Sequence, residues 1–409
     1  MGQNYCFFMD VGNTMKNKTL AFIIFGIFLI LATNSGVKAV DTREIDVCCH
    51  KDLLNENDLQ TIDGFVASAV DELAKTQDFT TIAKLRAAIQ ARRSSSKESA
   101  KTQYAAQFSE SAYKYISKAL EEAKEITPEN NRFRVILNLL ILADSLEEVR
   151  LTDLAMKFLN DKDDAIRYWA VHCVANPGII GQLNSGGADG LARAENIAKQ
   201  LKGVVESSSP ESLGLMAEFA AKVNIPEGED RLFQIADMRI KKYSDWTIEY
   251  ELLDADILKL LDGKMSSEGA NKSGAGRRFG QLYSYAIQRY VKGQDVLSDT
   301  QKSQLVSVLV ETEINCISKL LKVAQSVVKN AVEQNDLPAL MQEHNRLLGD
   351  KTQAGQLPLK LNFDYGKEAD GSRRVAPLAL PEPPKELIPS TKPETITDNG
   401  STPSADSTN

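Results

Sequence analysis

The chain has 409 residues, 43% hydrophobic and 25% charged, and its 56 Asp and Glu outnumber 48 Lys and Arg for a net charge of −8. That acidic balance argues against nucleic acid as a partner, which calls for a basic face. Gly and Pro are sparse before residue 355 while Ala, Leu, Lys and Glu are abundant, which favours helix.

Lys16 and Lys18 precede an uncharged run of 13 residues, Leu20 to Ala32. Thr33-Asn34-Ser35-Gly36 follow, then Val37-Lys38-Ala39, with short side chains at −3 and −1 of a cut before Val40. Charge, apolar run and small residues in that order make a secretory signal, with translation starting at Met1 or Met15. As a helix the run spans about 20 Å, short of a hydrocarbon core about 30 Å thick, so cleavage between Ala39 and Val40 is expected. Removing Lys16, Lys18, Lys38 and Asp10 leaves 45 cationic and 55 acidic side chains, a net −10. The expected location is the periplasm or the exterior, and a membrane is a partner only if the signal is retained as an anchor.

Beyond the signal, the periodicity predicts helices throughout. Leu59, Ile62, Val66, Val70 and Leu73 make one apolar stripe of a helix over 57–75. Further helices are expected at 79–92, 98–126, 129–146, 149–159 and 164–175, with Thr127-Pro128 capping the fourth. Asn176-Pro177-Gly178 reads as a break, and 178–187 as a loop. Helices follow at 188–206, from Ser209-Pro210 onward, at 227–242 and at 246–262. The Gly-rich stretch 263–276 reads as a hinge before 277–292. Leu305, Leu309, Cys316, Leu320, Val323 and Val327 fit one long helix or coiled-coil seam over 299–334, and a short helix is expected at 337–348. Seven of the 13 prolines fall in the final 33 residues, so 355–409 is expected to be disordered, with Leu357 to Phe363 adding at most one extended segment.

One stretch carries a recognisable pattern. Leu159, Asp161, Asp163, Ile166, Arg167 and Ala170 fit Leu-x-Asp-x-Asp-x-x-Val/Ile-Arg-x-x-Ala, and the segment 149–176 resembles a HEAT repeat. Asp161, Asp163 and Asp164 would cap the second helix, Ile166, Ala170, Cys173 and Val174 would form its buried stripe, and Arg167 would pair with a turn Asp. The resemblance implies an all-α, irregular α-solenoid of HEAT or armadillo-like helix pairs, with an extended surface for partners. The expected organisation is a signal at 1–39, a helical-repeat domain at 40–265, a C-terminal helical segment at 275–350 and the tail.

Candidate chemistry is thin. Cys48, Cys49, His50, His172 and Cys173 are the residues that would supply a metal site, but adjacent residues seldom reach one ion and zinc spacing is lacking, so neither metal nor cofactor is expected. An exported chain permits disulfides among Cys48, Cys49, Cys173 and Cys316. His344 sits in the polar run QEHNR and reads as solvated, and His172 as structural. Arg277, Arg278, Phe279, Tyr283, Tyr285, Arg289 and Tyr290 form a basic-aromatic helix, of which Phe279, Tyr283 and Tyr290 lie near one face and read as core rather than as a nucleic-acid stacking surface. The function expected is an exported scaffold that binds a protein, without enzymatic activity. The alternatives are an all-helical hydrolase-like enzyme with a site between distant helices, and the same scaffold tethered by an uncleaved signal.

Overall fold

The computed structural model describes residues 41–387, all of which fall in one unit. The signal and its Ala39–Val40 cut lie outside the described residues. The described chain is all-α.

The first helices are α1 (Arg43–Cys49), α2 (Glu56–Lys75), α3 (Phe79–Ala91), α4 (Glu98–Ala123) and α5 (Glu129–Leu146). α2 opens on a capping box: Asn55 accepts from Asp58 N–H, and the Asp58 carboxylate accepts from Asn55 N–H. Its stripe Ile62, Val66, Val70 and Leu73 is buried as the spacing predicts. Pro128, not Thr127, takes the cap position of α5.

Residues 149–158 form an irregular turn rather than the regular helix expected, with 3₁₀ geometry on either side of the short α6 (Thr152–Ala155). α7 (Asp164–Ala175) follows, then α8 (Pro177–Ser185) and α9 (Gly187–Lys202). The expected loop at 178–187 is therefore largely helical: Asn176 accepts from Gly178 N–H and Pro177 starts the new helix.

α10 (Pro210–Lys222), α11 (Pro226–Ser244), α12 (Leu253–Ser266) and α13 (Lys272–Lys292) come next. The glycine-rich hinge shrinks to residues 267–271, because Asn271 caps α13 through Gly274 N–H. The expected helix at 246–262 instead begins at Leu253, after a loop at 245–252.

α14 (Asp299–Thr312) leads through a π-helical turn at Glu313–Ile317 into the short α15 (Ser318–Leu321). α16 (Val327–Glu333), α17 (Leu337–Leu348) and α18 (Gln356–Leu361) complete the set. The long seam expected over 299–334 stops at Cys316, and Val323 and Val327 are exposed. The buried Glu313 carboxylate turns to accept from the N–H groups of Val328 and Lys329, each at 2.8 Å, and so holds the start of α16 beside α14.

Helices pack largely in chain order. α2 packs on α4 and α3, α4 on α5, α5 on α7, α7 on α10, α10 on α11 and α12, and both of those on α13. α13 also touches α14, α17 and α18, and it is buried along most of its length.

The expectation of disorder from residue 355 fails as far as Leu387. Leu357, Phe363, Tyr365 and Leu380 are buried, and α18 replaces the extended segment expected at 357–363. A few widely spaced apolar residues suffice because α13 is notched to receive them. An alanine Cβ at Gly276 would come within 2.6 Å of the Phe363 ring, and one at Gly280 within 2.6 Å of the Tyr365 hydroxyl. Residues 388–409 lie outside the described residues.

Candidate functional site

The sequence-selected Cys and His residues do not converge. Cys49 donates to Tyr104 Oη at 3.1 Å, while Cys48 lies beside Asp58, and burial pushes both thiols up. His50 bonds Ser96 at 2.7 Å. Cys173 donates to the Leu140 carbonyl at 3.1 Å, and His172 bonds Asp144 at 2.8 Å. Cys48, Cys49, Cys173 and Cys316 are all free, buried thiols, so none is joined in a disulfide. Among the described residues, no three His, Cys, Asp or Glu side chains are gathered as a metal ion needs.

The turn that opens α7 is bonded locally through its aspartates and Arg167. Asp163 caps α7 by accepting from Ala165 and Ile166 N–H, and Asp161 accepts from Asp163 N–H at 3.0 Å. Arg167 donates to the Asp161 carbonyl and pairs with Asp164. Leu159, Ile166 and Ala170 are buried. The face of α7 left partly open carries Tyr168, Trp169 and His172, whose rings lie 5.0–5.8 Å apart.

His344 is buried, not solvated. Gln288 donates to Ser284 Oγ at 2.8 Å, Ser284 Oγ lies 2.8 Å from His344 Nε2, and His344 Nδ1 lies 2.9 Å from Asn345 Oδ1. This order makes Ser284 the donor to Nε2 and places the imidazole proton on Nδ1. Burial holds His344 below its ordinary 6.5, in the neutral form. The trio resembles a nucleophile and its base, but Ser284 is 0% and His344 5% exposed, so no substrate reaches the hydroxyl.

A buried charged cluster lies where α11, α12 and α13 meet. Arg239 and Asp254 are fully buried, with Nε–Oδ1 at 2.7 Å and Nη2–Oδ2 at 2.9 Å. Burial works against the Arg239 charge, but the Asp254 carboxylate outweighs it and raises the guanidinium pKa. Tyr243 donates to the same carboxylate at 2.7 Å. Arg239 also donates to the carbonyls of Glu249 and Tyr250, which explains why 245–252 is loop: those carbonyls are taken by a side chain. Arg289 packs under the Trp246 ring at 5.0 Å and reaches Glu251 at 3.3 Å. Burial raises Glu251 and lowers Arg289.

Trp246 and Tyr250 in this loop have φ of 58° and 53°, left-handed conformations that cost large side chains about 1 kcal/mol each. Tyr250 is nonetheless 46% exposed. It enters a groove of about 470 Å³ between α7, α10 and α12, beside Tyr168, Gly214, Leu215 and Leu253. Glu211, Glu218, Asp256, Lys222 and Lys259 also line the groove, and Lys222 pairs with Glu218.

Sequence reasoning missed this cluster. The available signal was an arginine on the apolar stripe Leu232, Ala236, Arg239, Tyr243, where a buried charge demands a partner. No helix among the described residues is long and apolar enough to cross a membrane. The chain matches no protein-family model, no curated protein and no solved structure.

Proposed function

We propose that the chain is an exported helical scaffold, an irregular α-solenoid of HEAT or armadillo-like pairs, that docks a protein segment in the groove between α7, α10 and α12. The observation that carries this reading is Tyr250. A large, exposed aromatic is held at positive φ by a fully buried Arg239–Asp254 pair whose guanidinium grips the loop on either side of it. Strain supported by such a clamp is characteristic of binding sites. An aromatic anchor with an apolar floor and charges of both signs around it suits a peptide or helix better than a small substrate. The packing of helices in chain order and the HEAT-like turn support the solenoid description.

The test is photocrosslinking in the native exported fraction. A photoreactive phenylalanine replacing Leu215 in the groove is expected to give one discrete protein adduct, and one replacing the exposed Glu125 none. Equal yields from both positions, or none from Leu215, contradict the proposal. Export rests on the pattern at 16–39, and the intact mass of the exported protein, expected to begin at Val40, separates it from the tethered form.

A further inference from the structure

Residues 376–384 cross α13 in a manner unlike the rest of the core. Among the described residues, 376–383 make no main-chain hydrogen bond to another backbone group. They are held by side chains instead. Gln281 forms a two-point contact with Leu378, accepting from its N–H at 2.8 Å and donating to its carbonyl at 3.3 Å. Gln288, two turns along the same face, donates to the Leu378 carbonyl at 3.2 Å and accepts from Leu380 N–H at 2.7 Å. Lys292 donates to the Leu380 carbonyl at 2.6 Å and pairs with Glu382 at 2.5 Å, and the Trp246 indole donates to the Pro381 carbonyl at 3.0 Å.

These contacts read a main chain, which every extended peptide has. Sequence is read chiefly at Leu380, 1% exposed, and only weakly at Glu382, which pairs with Lys292 but is 79% exposed at its side chain. Leu378, by contrast, is 44% exposed. The prolines at 377, 381, 383 and 384 have no N–H to leave unpaired and favour the extended form. Gln288 is also pre-set, because its amide is steadied by Ser284 and, through Ser284, by His344.

We propose that this face of α13 is a peptide-binding track occupied in cis by residues 376–384. Its ligand in trans is an extended partner peptide carrying a leucine followed by proline and an acidic residue, which displaces the resident segment. The track is separate from the groove that holds Tyr250 and stands without it. A tethered segment competes at an effective concentration on the order of millimolar, so the intact chain resists exchange.

The test uses the full chain with a protease site built into the exposed turn at 369–371. The probe is a fluorescent peptide of residues 374–387, read by anisotropy with circular dichroism as the check on folding. Cutting the turn abolishes the tether, and the cut chain is expected to bind the probe at least about tenfold more tightly than the uncut chain. Gln281→Ala with Gln288→Ala, or Lys292→Ala where the double variant fails to fold, is expected to weaken binding by about fivefold or more. A probe with Asp in place of Leu380 is expected not to bind. A folded, cut chain that ignores the probe overturns the proposal, as does equal binding by the variants. A dimer of intact chains exchanging their segments and excluding the probe also overturns it.

Discussion

Gln288 Oε1 accepts from the N–H of Leu380 at 2.7 Å, joining α13 to a segment 92 residues later in the chain. The same amide donates to the Leu378 carbonyl and to Ser284. Gln288→Ala removes all three bonds. Local opening of 376–384 is expected to become about 1–2 kcal/mol easier, seen as faster hydrogen exchange at Leu378 and Leu380 with little change in α2.

The Arg239–Asp254 pair is 1% and 0% exposed at its side chains. Asp254→Asn leaves the guanidinium buried without its counter-ion and is expected to cost about 3–5 kcal/mol in urea unfolding. Arg239→Met added to that variant is expected to recover part of the loss. Equal stability of the single variant and the parent chain sinks the clamp argument.

Gly280 and Gly263 offer a matched contrast. A Cβ at Gly280 meets the Tyr365 hydroxyl at 2.6 Å, whereas one at Gly263 in α12 has nothing within 4 Å. Gly280→Ala is expected to destabilise by about 1–3 kcal/mol as the tail is pushed off α13. Gly263→Ala is expected to stabilise by up to about 1 kcal/mol through helix propensity. Thermal unfolding of the two variants checks both signs.

His344 gives the fold a pH dependence. Its folded-state pKa lies below the ordinary 6.5, so the folded chain prefers the neutral ring. The stability this contributes is fully present above 6.5 and is lost as pH falls through the folded value. Protonation also removes the Nε2 acceptor that Ser284 uses. Urea midpoints measured from pH 7.5 to 5 are expected to fall more in the parent chain than in His344→Gln, whose carbonyl still accepts from Ser284. Parallel curves contradict this.

What could be read from the sequence was local. Asp163, Ile166 and Arg167 act within one turn of each other, so their roles follow from spacing alone. The stripe of α2 is equally periodic, whereas α13 is buried at every position from Phe279 to Tyr290, which spacing does not announce. Pairings over long separations had no such signal. His344 lies in a polar run yet faces Ser284, 60 residues earlier. Glu313 breaks a seam that continues in the sequence, because its carboxylate serves α16. The proline-rich composition after 355 suggested disorder, but the prolines favour an extended main chain with few N–H groups to satisfy, and glutamine side chains of α13 bond the N–H groups of Leu378 and Leu380 and the Leu378 carbonyl. The Tyr250 groove was hidden for the same reason: its clamp joins Arg239 to a carboxylate across an irregular loop.

The groove is the central claim, and photocrosslinking from position 215 in the presence and absence of Tyr250→Ala tests it most directly. The expected result is a single protein adduct in the parent chain, lost or reduced about tenfold when the Tyr250 ring is removed from an otherwise folded protein. An adduct of undiminished yield without the ring, or none with it, contradicts the assignment of this groove as the docking site.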